Sequence, residues 1–81
     1  LIRNYSNKIL YIITRESDLV KNFINDELGL KVTEMYSIGG YSNSGSEILM
    51  CVVSNRDYFK LREGINEIDE TAFFLVTHAH S

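Results

Sequence analysis

Three stretches of this chain carry hydrocarbon on both sides of an extended strand. That property limits its fold more than any other. The stretches are residues 8–14 (KILYIIT), 47–54 (EILMCVVS) and 72–78 (AFFLVTH). In the first, apolar residues run unbroken from Ile9 to Ile13, and in the second from Ile48 to Val53. Runs rich in β-branched and aromatic residues, without helical spacing, read as strands buried on both faces. Between them the period changes. In 16–29 (ESDLVKNFINDELG), Leu19, Val20, Phe23, Ile24 and Leu28 fall on one helical stripe. Ser17 suits the N-cap, Asp18 the first turn and Gly29 the C′ position. In 55–69 (NRDYFKLREGINEID), Tyr58, Leu61, Ile65 and Ile68 share a stripe, and Ser54 with Asp57 resembles a capping box. Gly64 inside this helix costs about 1 kcal/mol against alanine, so it marks a close approach or is drift. Residues 30–37 (LKVTEMYS) interleave polar groups and read as an edge strand.

The resulting order is β-α-β-β-α-β. Right-handed crossovers then favour an α+β, ferredoxin-like two-layer sandwich with an antiparallel sheet in the order 4-1-3-2. The first and third strands are central in that order and the second is an edge, which agrees with their apolar content. Residues 1–7 (LIRNYSN) read as a linker and 8–81 as one domain. Both helices of such a fold lie on one face of the sheet. The opposite face here is also apolar on three strands, and a bare apolar face of that size calls for a cover. Self-association through the open sheet face, as a dimer or trimer, is the expectation.

Composition removes several classes of function. A hydrophobic share of 44% is that of a globular chain and not a disordered one. A net charge of −3 lacks the basic face that nucleic-acid binding needs, and the third strand lacks the aromatics of an RNA-binding sheet. The lone Cys51 sits in an apolar run, reads as a buried small hydrophobe, and points to a reducing compartment. No apolar run approaches the roughly 20 residues of a membrane span, and no signal-peptide pattern appears. The start at Leu1 and the end after THAHS read as a piece of a longer protein. There is no C-x-x-C, so a copper carrier is not expected. His78 and His80 alone do not make a metal site. Arg15 follows the first strand without a glycine to wrap an anion, and reads as a surface charge. No acid–base or nucleophile set assembles from these residues, so no enzyme activity, metal or cofactor is expected. The stretch 37–47 (SIGGYSNSGSE) lacks the lysine and the following helix of a phosphate-binding loop. It is either a plain hairpin connection or a contact loop built around Tyr41.

A set of motifs narrows this further. Gly39, Tyr41 and Ser42 stand in the loop. Cys51, Val52 and Val53 end the third strand, followed by Ser54 and Arg56. Glu67, Ile68 and Asp69 close the second helix, a phenylalanine-bearing strand follows with Phe73 and Phe74, and His80 comes after it. In this the chain resembles the C-terminal domain, of unknown function, of the YitT family of bacterial membrane proteins. The resemblance implies a membrane-embedded parent, with this part on the cytoplasmic face of the bacterial cell membrane. It also implies kinship with the nitrogen-regulatory PII-like proteins, which associate through their sheets and use the loop between the second and third strands for contacts. The function so implied is a non-catalytic regulatory or sensing domain. Its small metabolite or anion would lie between subunits, at Gly39, Gly40, Tyr41, Ser42 and Asn43, with Asn55, Arg56 and His80. The alternative is an oligomerisation module of the membrane parent that binds no ligand.

Overall fold

The computed structural model describes residues 7–36 and 47–79. Strand β1 (Asn7–Ile13) leads to helix α1 (Ser17–Asn22), which widens into a π-helical turn, Phe23–Glu27. Then come β2 (Thr33–Tyr36), β3 (Glu47–Ser54), helix α2 (Asn55–Ile68) and β4 (Phe73–His78). The sheet is antiparallel throughout, in the order β2-β3-β1-β4. This is the expected ferredoxin-like order, with the two longest apolar strands in the middle.

The registers sort the side chains. Leu10 lies opposite Cys51 and Val76, and Ile12 opposite Leu49 and Phe74. These residues point to the helices. Leu10, Ile12, Leu49, Cys51 and Val53 are buried there against Val20 and Ile24 of the first helical segment and Leu61 and Ile65 of α2. Of the α2 stripe, Tyr58 and Ile68 pack half-buried at its margins. The first helix keeps its stripe except at Leu19, which is 55% exposed. One position from Val20 is a rotation of about 100°, enough to turn Leu19 off the sheet.

One helix end differs from the sequence reading, one agrees with it, and one agrees in its cap alone. Ser17 is the first helical residue; the cap is Glu16, with no side-chain cap bond. A hydroxyl does act here, from further upstream: Thr14 Oγ1 accepts the Glu16 N–H at 3.0 Å. Gly29 follows the first helical segment with φ of +66°, a left-handed conformation that glycine adopts without penalty. Ser54 caps α2, its Oγ accepting the Asp57 N–H at 3.2 Å. The return arm of the box falls short: Asp57 Oδ2 meets the Ser54 hydroxyl at 3.4 Å. An aspartate is one methylene shorter than the usual glutamate.

Gly64 is a close approach. A Cβ built there would stand 2.0 Å from Cζ of Phe23. The Cζ end of the Phe23 ring abuts the α2 backbone at Gly64 and locks the π-helical turn onto that helix. Lys21 ties the same segment to the sheet edge. Its Nζ is 3.4 Å from Asp18 and 4.0 Å from Glu47, and it bonds Glu34 of β2. The hydrogen bond to Glu34 holds the Lys21 ammonium above the ordinary lysine range, against the opposing effect of burial.

Candidate functional site

The face of the sheet away from the helices is the largest unusual feature among the described residues. Period-two alternation puts Ile9, Tyr11 and Ile13 of β1 on it, opposite Val52, Met50 and Ile48 of β3. Met35 joins from β2, and Phe73 and Leu75 from β4. None of these nine side chains is charged. Ile13, Val52, Phe73 and Leu75 are 41%, 46%, 59% and 56% exposed. The centre sinks into a depression of about 270 Å³ lined by Tyr11, Ile13, Met35, Ile48, Phe73 and Leu75. A hydrocarbon-lined hollow with one tyrosine hydroxyl offers no acid, base or nucleophile. It can bury apolar surface, and does so best against another apolar surface.

The helix side of the outer strand is finished differently. The Arg62 guanidinium stacks 4.8 Å from the centroid of the Phe74 ring and donates to Tyr58 Oη at 3.2 Å. The Lys8 ammonium lies 5.4 Å from the centroid of the same Tyr58 ring. These cation–π contacts close the margin between α2 and the β1–β4 pair.

Asp69, just past α2, is the most heavily bonded side chain described. Its Oδ2 accepts from Thr14 Oγ1 at 2.7 Å and the Arg15 N–H at 3.2 Å. Its Oδ1 accepts from Thr71 Oγ1 at 2.6 Å and the Thr71 N–H at 3.0 Å. The Thr71 and Thr14 hydroxyls hold its carboxyl well below the usual carboxylate range; burial opposes them, and the two amides add to their effect. The two Thr71 donors close the local turn and the Thr14 and Arg15 donors come from across the fold, so Asp69 staples the end of β1 to the α2–β4 turn. Arg15, read as a surface charge, contributes its backbone amide here.

Of the residues expected to bind a ligand, Asn55 and Arg56 open α2 and are exposed. Arg56 makes no ion pair among the described residues. Gly39, Gly40, Tyr41, Ser42, Asn43 and His80 lie outside the described residues. Among those described, no group of three or more His, Cys, Asp or Glu is placed to hold a metal. No helix among them is long and apolar enough to cross a membrane.

Residues 31–81 match the family described as "Uncharacterized protein conserved in bacteria (DUF2179)". The chain belongs to the DUF2179 family. Its relatives include the UPF0750 membrane protein YvjA of Bacillus subtilis (strain 168), 36% identical over 73 residues. That match covers 90% of this chain and 26% of YvjA, so the chain spans about a quarter of this relative's length. The membrane-protein relatives agree with the YitT resemblance of the 39–80 motifs. A DUF2179 protein from Eubacterium ventriosum has the same fold at a TM-score of 0.78 and 30% identity, over 88% of this chain and 97% of that one. The CPII protein of Thiomonas intermedia K12, solved bound to ADP, AMP and acetate, shares the fold at a TM-score of 0.60 and 14% identity, over 93% and 88% of the two chains. The DUF2179 chain thus has the ferredoxin-like fold.

Sequence reasoning found the open face but missed the Asp69 hub. Asp69-Glu70-Thr71 carries a local signal, since an aspartate bonding the backbone two residues on is a common turn device. The long-range half, Thr14 fifty-five positions away, has none.

Proposed function

We propose that this DUF2179 domain is a non-catalytic assembly domain of a membrane protein, placed at the cytoplasmic face of the membrane, whose copies meet through the open sheet face. The observation that carries this reading is the uncharged face itself, with four of its large side chains about half exposed. Covering the nine apolar side chains would return about 6 kcal/mol at roughly 25 cal/mol per Å² of apolar surface. That is comparable with the ~4–15 kcal/mol that association costs in lost freedom. The isolated domain is therefore expected to associate weakly. Tethering copies to one membrane raises their effective concentration and shifts the same contact toward occupancy.

Ile13→Lys tests the reading. Ile13 is 41% exposed and lines the depression, so the monomer tolerates a lysine there while an apolar interface does not. Sedimentation should show a concentration-dependent mass in the parent domain that exceeds the mass of the variant. Equal masses for the two would refute the face as the contact.

A second reading adds a small anionic metabolite between copies, near Gly39–Asn43 and His80. It is favoured by Asn55 and Arg56, which stand exposed at the start of a 14-residue helix, where free amides and a guanidinium suit a carboxylate or phosphate. A melting-temperature screen against nucleotides, amino acids and metal ions tests it. A specific ligand raises the melting point, and Arg56→Ala and Tyr41→Ala reduce the rise. A flat screen leaves assembly alone.

A further inference from the structure

The two edges of this sheet are built differently. β2 is four residues long and carries Glu34, which Lys21 engages. β4 is six residues, Phe73–His78 (FFLVTH), paired without interruption from Phe73 opposite Ile13 to His78 opposite Lys8. Sheets ordinarily blunt an edge by shortness, by Lys or Glu, by proline or by a bulge. β4 has none of these. It pairs with β1 alone among the described residues.

The phase of the ladder identifies the free groups. The Ala79 N–H donates to the Asn7 carbonyl of β1 at 3.1 Å. In an antiparallel pair, N–H and C=O of one residue point to the same neighbour, and alternate residues point the other way. The backbones of Phe73, Leu75 and Thr77 therefore face β1, and those of Phe74, Val76 and His78 face outward. Hydrocarbon flanks this row on both sides: Phe73 and Leu75 on the open face, and Val76, 36% exposed, on the helix face.

We propose that β4 pairs antiparallel with the β4 of a second copy, joining two four-stranded sheets edge to edge. The occupant follows from charge and length. β4 holds no acid, lysine or arginine, so pairing it with itself sets no like charges opposite one another. A β2 edge would offer four residues and bring Glu34. Edge pairing also runs the two open faces into one apolar surface. The contact goes beyond the face contact proposed above, because it is made by backbone groups.

Residue-resolved amide hydrogen exchange on the domain tests it. Raising the protein to ten times the dissociation constant should slow exchange at Phe74, Val76 and His78 about fivefold, because these amides then open only in the roughly one-fifth of chains that are dissociated. Thr77 and Leu75, bonded to β1, should be slow at every concentration. Val76→Pro removes one outward donor and no β1 bond, and should abolish the concentration effect at Phe74 and His78. Ile13→Lys, which disables the face contact, should leave it in place. Fast exchange at the three amides at all concentrations overturns the proposal, even where sedimentation upholds the face contact. Protection independent of concentration also overturns it, since the edge would then be covered within one chain.

Discussion

Gly64→Ala is a substitution whose sign depends on one contact. On an open helix surface, replacing glycine by alanine stabilises by about 1 kcal/mol, through backbone entropy. Here the new Cβ would stand 2.0, 2.5 and 2.7 Å from Cζ, Cε2 and Cε1 of Phe23. Carbon pairs settle near ~3.5–4.0 Å, so the ring has to withdraw by about 1.5 Å. Phe23 packs half-buried against the core, and its retreat loosens the π-helical turn from α2. Overpacking of this kind costs about 1–3 kcal/mol. The balance is a net loss of about 1 kcal/mol, or roughly 4–8 °C in melting temperature for a domain of this size. Urea denaturation at one fixed protein concentration reads it, because association shifts apparent stability. In a Phe23→Ala background the ring is gone and Gly64→Ala should stabilise by about 1 kcal/mol. That reversal amounts to a coupling of about 2 kcal/mol in a double-mutant cycle. A stabilising Gly64→Ala in the parent background would refute the ring-on-backbone contact.

Asp69 and Cys51 give two further tests. The Asp69 carboxyl is held below its unfolded range by the Thr71 and Thr14 hydroxyls, so its stabilisation is present above the unfolded value near ~3.9 and fades as pH falls through the folded one. The melting temperature should drop on acidification below about pH 4, and Asp69→Asn should flatten that drop. A parallel curve in the variant would mean that the Asp69 network is not coupled to folding. The Cys51 thiol is buried and pushed up to about 11 by its apolar setting. A disulfide reagent at mildly alkaline pH should label it only after denaturation, and rapid labelling of the folded domain would contradict its place in the core.

The legible and illegible parts of this molecule differ in range. Strand order, the central positions of β1 and β3 and the greasy second face follow from patterns two to four residues long, and those patterns were intact. The shortfalls are tertiary. Leu19 fitted the helical stripe by spacing, but a six-residue helix turns it off the sheet. Gly64 was visible as an oddity, but its partner, Phe23, lies forty-one positions earlier on another element. Asp69 appeared as the end of a helix motif, and its threonine across the fold could not be read from spacing. Ser17 had the right chemistry for a cap, but the helix begins one residue earlier than that role needs, with Glu16 at the cap and the Thr14 hydroxyl bonding the Glu16 N–H just outside the helix.

Sedimentation equilibrium of the domain and of Ile13→Lys, run from ~10 µM to ~1 mM, spans the affinities of a contact worth about 4–7 kcal/mol. The parent domain should grow in mean mass from the 9.3 kDa of one chain across that range, and the variant should grow less. A parent domain that sediments as a single chain at the highest concentration would contradict association through the open face.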